Sequence, residues 1–264
     1  MREWLDSLLA VLLAPVCAAC GEPLRSPTRG CICETCWTSI ERAPEAVCDV
    51  CGDALDPYIA ADLQVRRFDG PEGPSLRVGS PEGPSLGTRC CARCLAHPPI
   101  VDRARAIGPH TGSLRGIVHA LKYDGRRSIA RGLASLMTTA APALVAAADA
   151  VVPVPLHGHR RRSRGFNQAH DLARHIGPPV AGALRRIRHT PTQTALPPAE
   201  RRTNVAGAFA ATRQALRLRG ATVLLIDDVR TTGATLEACG GVLKQAGVAR
   251  VWALTAARVA TPHD

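Results

Sequence analysis

Aromatic side chains are scarce in this sequence: three Trp, two Tyr and three Phe make up 3% of the chain. Binders of single-stranded nucleic acid ordinarily present a row of rings for bases to stack on. Several of these few rings must serve the core, so any nucleic-acid contact is expected to be backbone-based. The core itself must be built from Ala, Val, Leu and Ile, as in layered α/β domains. Lysine is nearly missing too, with Lys122 and Lys244 alone, so the formal charge of +11 comes from Arg. Guanidinium forks match phosphate bidentately, but a coding bias towards Arg and Ala gives the same excess, and charge alone assigns no function. No apolar run reaches the roughly 18 residues of a membrane-spanning helix. Residues Leu8 to Val16 come nearest, yet Glu3 and Asp6 crowd the start and no small-x-small cleavage pattern precedes Cys17. Residues 1–16 are therefore expected to form an amphipathic helix packed on the body, and the chain is expected to be cytoplasmic.

Cysteine is abundant, and ten of the eleven lie between residues 17 and 94. Without a secretory context this usage points to metal or buried thiols rather than disulfides. Four Cys-x-x-Cys pairs occur: Cys17/Cys20, Cys33/Cys36, Cys48/Cys51 and Cys91/Cys94. Each pair offers two thiolates, and two pairs complete a tetrahedral zinc site. Sequential pairing puts the first four on one ion and the last four on a second; interleaved pairing satisfies the same spacing. Gly21 and Gly52 follow their pairs where a knuckle turn favours positive φ. Zinc here is expected to replace a core too small to fold alone. Cys31 and Cys90, beside the pairs, read as spare thiols or alternative ligands, and Cys239 as a helix core residue. Within this part Pro71-Glu72-Gly73-Pro74-Ser75-Leu76 is repeated as Pro81-Glu82-Gly83-Pro84-Ser85-Leu86. Such a duplication buries no core and reads as an insertion at about residues 66–88.

The composition changes near His97-Pro98-Pro99, giving a small domain over 17–97 and a second over 98–264. The second alternates helix and strand patterns. Leu114, Ile117, Val118 and Leu121 have helical spacing, as do the stretches from Ile129 to Val145 and from Gly165 to Ile176. Ala150-Val151-Val152 is a short strand ended by prolines. Ala221 to Ile226 is an unbroken aliphatic run suited to a strand buried on both faces. A helix over Gly233 to Gln245 and a strand over Arg250 to Ala257 follow, so the unit is βαβ and the sheet largely parallel.

The chemistry gathers where the first strand of that unit meets its helix. The strand is expected to end at Asp227 and Asp228, and Thr231-Thr232-Gly233 leads into the helix. Backbone N–H groups at a helix start, with the helix dipole, favour an anion. Thr231, Thr232 and Thr235 add hydroxyls, while Gly233 and Ala234 let a phosphate approach the backbone. Two carboxylates would repel a bare phosphate but accept hydrogen bonds from vicinal ribose hydroxyls, so a sugar phosphate is the expected ligand.

Val223-Leu224-Leu225-Ile226-Asp227-Asp228-Val229-Arg230-Thr231-Thr232-Gly233-Ala234-Thr235 resembles the signature of type I phosphoribosyltransferases. With Val152-Pro153-Val154-Pro155-Leu156, Arg164-Gly165-Phe166-Asn167-Gln168, Thr192-Gln193, Arg201-Arg202-x-Asn204 and the cysteine pairs, the chain is similar to the ComF family of competence-related proteins. The resemblance implies a phosphoribosyltransferase-like parallel sheet flanked by helices behind a double zinc ribbon. It implies phosphoribosyl pyrophosphate as ligand with Mg²⁺, zinc as structural metal, and a link to DNA uptake, with single-stranded DNA and uptake proteins as partners. The turn after Val152 would face pyrophosphate, with Arg160, Arg161, Arg162 and Arg164 near it. Residues 190–204 would form a closing loop from which Arg201 or Arg202 contacts the diphosphate. Arg230 stands where an apolar residue is more usual, which implies a local difference towards the ligand. Lys122, in Leu121-Lys122-Tyr123, has no role derivable from the sequence.

Overall fold

The computed structural model describes residues 2–55, 89–158, 162, 164–188 and 205–259. The duplicated insertion, Arg160, Arg161, Arg201, Arg202 and the expected closing loop lie outside the described residues.

Four strands form one parallel sheet in the order β1-β6-β5-β2: β1 (Arg103–Pro109), β2 (Ala150–Pro153), β5 (Thr222–Arg230) and β6 (Arg250–Arg258). A two-stranded antiparallel ribbon, β3 (Leu184–Arg186) with β4 (Phe209–Ala211), stands apart. Strand β5 explains its own sequence. Leu224 and Ile226 enter one core with Leu254 of β6, and Val223 and Leu225 enter the other with Val251 and Ala253. Both faces are covered, so the run is apolar throughout rather than alternating.

The first core is roofed by α4 (Gly112–Tyr123) and α5 (Ile129–Ala140), which bury Leu114, Ile117, Val118, Leu121, Leu133 and Met137. Each fully buried aliphatic side chain contributes about 1.5–3 kcal/mol. The helix expected from Ile129 to Val145 is interrupted: α5 stops at Ala140 and α6 (Pro142–Ala146) starts anew. Pro142 keeps Ala141 out of helical geometry, at φ −145°, and then serves as a first helical residue. The helix expected from Gly165 is shorter as well. α7 (Gln168–Ala173) begins where the Asn167 side chain accepts from Ala169 N. The second core is covered by α8 (Ala234–Gln245), whose Leu236, Cys239 and Leu243 are buried.

The cysteine-rich part wraps the outer edge of β1. Ala43 N donates to Ile107 O and Ala104 N donates to Val50 O, so ribbon backbone meets the edge strand at two points and blunts its open ladder. α1 (Arg2–Leu13) is tied on by buried Asp6, which accepts from Thr28 N at 2.8 Å; Trp4, Val11, Leu12 and Leu13 are exposed. Among the described residues no helix is long and apolar enough to cross a membrane.

Candidate functional site

Two tetracysteine groups form, and their pairing is sequential: Cys17, Cys20, Cys33, Cys36, and Cys48, Cys51, Cys91, Cys94. The halves repeat one plan. Gly21 N donates to Cys17 O and Gly52 N to Cys48 O, each glycine having positive φ. Cys33 and Cys91 then sit at the starts of α2 (Glu34–Thr38) and α3 (Ala92–Ala96). Cys33 N donates to Cys17 Sγ and Cys91 N to Cys48 Sγ, both at 3.3 Å, which locks each second half onto its own first half. Interleaving is thereby excluded. A tetrahedron with Zn–S bonds of about 2.3 Å has edges of about 3.8 Å. The observed Sγ separations are 3.9 Å for Cys17–Cys36 and Cys20–Cys33, and 3.7 Å for Cys51–Cys91. The donors fit structural zinc. Cys31 and Cys90 join neither group, and Cys239 is buried in α8.

Strand β5 does not end at the acids. It runs through Asp227 and Asp228 to Arg230, because β6 stays paired beside it as far as Arg230↔Arg258. The carboxylates are thus held on rigid strand. Asp228 is 3% exposed and meets Lys122 of α4, whose Nζ lies 3.0 Å from Oδ2. Burial alone would lower the Lys122 pKa, but the charges of Asp228 and Asp227 reverse this and raise it. That supplies the role the sequence withheld: Lys122 is the counter-ion of the second acid. Asp227 is half-buried, and burial followed by the neighbouring Asp228 charge raises its pKa to about 7. Nearby His110, at the end of β1, is pushed down by burial and by Lys122 and Arg115.

Gly233 takes the left-handed conformation, φ 82°, and caps α8; Thr231, Thr232 and Thr235 are half-buried around it. Thr232 Oγ1 accepts from Ala234 N at 3.4 Å. Arg164 is brought to the same neighbourhood: its guanidinium lies over the Tyr123 ring at 5.3 Å and donates to Gln168 Oε1 at 2.9 Å. Arg127 clamps Asp171 of α7 through two bonds of 2.6 and 2.7 Å, fixing the segment that carries Arg164. The structure therefore brings Lys122 onto the acids that precede Thr231 to Thr235, and sets Arg164 against Tyr123, the chain neighbour of Lys122.

Arg230, where the resemblance implied a local ligand difference, closes β5 just before the loop. Its guanidinium points away to Asp53 of the second ribbon, which also takes Arg258 Nη1 at 2.9 Å and Arg93 Nη2 at 2.7 Å. Beside it lies a cleft of about 460 Å³ lined by Val50, Cys51 and Cys94 of the ribbon together with Arg230, Thr232 and Gly233.

Comparison with known proteins agrees with this layout. Residues 8–64 match the double zinc ribbon domain and residues 162–263 the phosphoribosyl transferase domain. The DNA utilization protein YhgH of Salmonella typhi is 30% identical over 239 residues, covering 84% of this chain and 96% of that protein. Competence protein F of Haemophilus influenzae is 31% identical over 179 residues, covering 63% and 78%. Among solved structures, the allosteric regulatory enzyme of purine biosynthesis is 20% identical, with a TM-score of 0.35 over 52% of this chain and 30% of that one.

Proposed function

The chain belongs to the family of competence protein F and the DNA utilization proteins, and on that premise we propose that Asp227 to Thr235 bind phosphoribosyl pyrophosphate or a related ribose phosphate. The observation that carries the reading is the pair of acids on β5, one of them paired with Lys122, on the strand that leads through Thr231 and Thr232 into a glycine-capped helix start. Asp227 and Asp228 accept from the ribose hydroxyls, and the first turn of α8 with its threonines takes a phosphate. Arg164, and Arg201 or Arg202 from the loop at 190–204, contact the diphosphate. Mg²⁺ carried on the ligand's phosphates would supply charge neutralisation there, as a hard cation that keeps most of its waters.

If the bound ligand turns over, the class is pentosyl transfer: the bond from ribose C1 to pyrophosphate breaks as an acceptor nucleophile bonds to C1. The described residues would contribute positioning and charge neutralisation rather than a covalent intermediate. Calorimetry with phosphoribosyl pyrophosphate and Mg²⁺ tests the binding. Saturable binding that Asp228→Asn abolishes is expected, and heats equal to buffer dilution would remove the reading. Pyrophosphate release across a panel of bases and amines then separates an enzyme from a binding module.

A second role, handling DNA during uptake in the cytoplasm, is supported by the charge of +11 and by the names of the relatives. It predicts single-stranded DNA binding that weakens steeply with salt as counter-ions compete. No binding at low salt would end it.

A further inference from the structure

We propose that Asp53 of the second zinc ribbon is a positioning residue for the phosphate loop, so that metal at Cys48, Cys51, Cys91 and Cys94 and ribose-phosphate affinity at Thr231 to Thr235 are coupled. This rests on the reading of the loop given above.

Asp53 is built into the metal knuckle. It follows Gly52, its carbonyl accepts from Cys48 N at 2.8 Å, and it is 1% exposed. The knuckle is seated hard on the sheet: a Cβ on Gly52 would fall 2.4 Å from Ala104 O, and Arg105 Nη1 donates to Cys48 O and Asp49 O at 3.3 and 3.0 Å. From this fixed position the Asp53 carboxylate gathers three guanidiniums. Oδ1 accepts from Arg230 Nη2 and Arg258 Nη1, and Oδ2 from Arg93 Nη2. Arg230 and Arg258 are register partners on neighbouring strands, each with a side chain no more than 10% exposed. Arg93 comes from the other half of the same ribbon, between Cys91 and Cys94.

Arg230 is the last residue of β5, and Thr231 follows it. The tie therefore runs from the metal knuckle through Asp53 and Arg230 into the backbone of the loop. Without the carboxylate, buried cations are left facing one another, and breaking such a pair is far more disruptive than never having had it. Arg230 would turn outward and carry the start of the loop with it. The ribbon and the loop also share a cleft, so a shift of either wall reaches the other. Coupling between two sites is reciprocal: whatever metal does for ligand affinity, ligand does for metal retention.

The test uses the full chain with zinc bound. Arg230→Gln cuts the loop's tie while leaving Asp53 its other two arginines, and Asp53→Asn removes the hub. Asp49→Asn is the control: the same ribbon carries it and it pairs with Arg89 and Arg105, but it has no bond to Arg230. Arg230→Gln is expected to retain zinc at the wild-type ratio yet bind phosphoribosyl pyrophosphate with Mg²⁺ more weakly, by a factor within the roughly 5- to 150-fold range of such couplings. Asp53→Asn should show the same loss with faster zinc release to a chromogenic chelator, and Asp49→Asn wild-type affinity. Saturating ligand should slow zinc release in the wild type and leave the Arg230→Gln rate unchanged. Wild-type affinity in Arg230→Gln, or a zinc release rate that ignores ligand in the wild type, overturns the coupling. Should Asp53→Asn fail to fold, Arg230→Gln decides alone. Absence of any binding by the wild-type chain is a different failure, that of the loop reading itself.

Discussion

Lys122 Nζ stands 3.0 Å from Asp228 Oδ2, with the carboxylate buried and the ammonium a quarter exposed. The pair joins α4 to β5 at the point where two acids adjoin, and it sets an ammonium against the buried Asp228 carboxylate. Lys122→Met should therefore destabilise the chain by about 1–3 kcal/mol, the penalty of leaving a buried charged group without its partner. It should also weaken ribose-phosphate binding. Adding Asp228→Asn to Lys122→Met should restore much of the stability but none of the binding. Urea unfolding and calorimetry on the two variants read the two effects separately.

Asp227 carries a pH dependence of definite sign. Its pKa is raised to about 7 by burial and by Asp228, above the value in the unfolded chain. The folded form thus binds the proton more tightly, and stability falls as pH rises from about 4 to 7, then levels off. Ribose hydroxyls need the ionised carboxylate as acceptor, so ligand affinity should rise with pH to about 7 and flatten above it. Calorimetry in two buffers of different ionisation heat should show proton release on binding at pH 6. Asp227→Asn, which leaves only the ligand's own titration, should lose that release while gaining thermal stability at pH 8. An unchanged proton count in Asp227→Asn would show that another group titrates.

The parts of this molecule that a local pattern specifies are legible in its sequence. Strand β5 declares itself because both faces are buried, and the cysteine pairs because a tetrahedral ion demands them. The acids and threonines of the loop are contiguous, so the site's centre is legible too. What pairs across long separations is not. Lys122 lies 106 residues from Asp228, and Asp53 lies 177 from Arg230, and no spacing rule links them. Strand β1 hides behind its arginines: Arg105 spends its guanidinium on the ribbon's carbonyls, so a buried strand reads as a charged one. The break at Ala141 was written in Pro142, but the apolar spacing on either side obscured it.

Metal content offers a direct count. The sequential groups predict two zinc ions per chain, and Cys36→Ser and Cys94→Ser should each retain one. Among the described residues the second ribbon has little core besides its ligands, with Leu55 and Val50 the main apolar additions, so its fold should depend on the ion. The first buries Leu24, Ile32 and Ile40 against the sheet domain. Cys94→Ser should consequently open residues 48–55 and 89–97 to proteolysis, while Cys36→Ser leaves more local structure. Element analysis and limited proteolysis decide it; a single ion in the wild-type chain would refute the two-site arrangement.

The edge of β1 gives the sharpest steric prediction. A Cβ on Gly108 would lie 1.9 Å from the carbonyl oxygen of Glu41, and backbone on both sides has no rotamer with which to yield. The connection between the two ribbons runs there, held by Ala43 N to Ile107 O at 2.8 Å. Gly108→Ala must push that connection off the strand, at a cost of about 1–3 kcal/mol or more, and it exposes an edge that would then be free to pair with another chain. Gly112→Ala, four residues on, meets open space and tests only the price of positive φ, expected to be near 1 kcal/mol. Thermal unfolding should rank Gly108→Ala well below Gly112→Ala, and light scattering should show aggregation in the first alone. Equal melting temperatures would mean that the ribbon connection is not seated on β1 in solution.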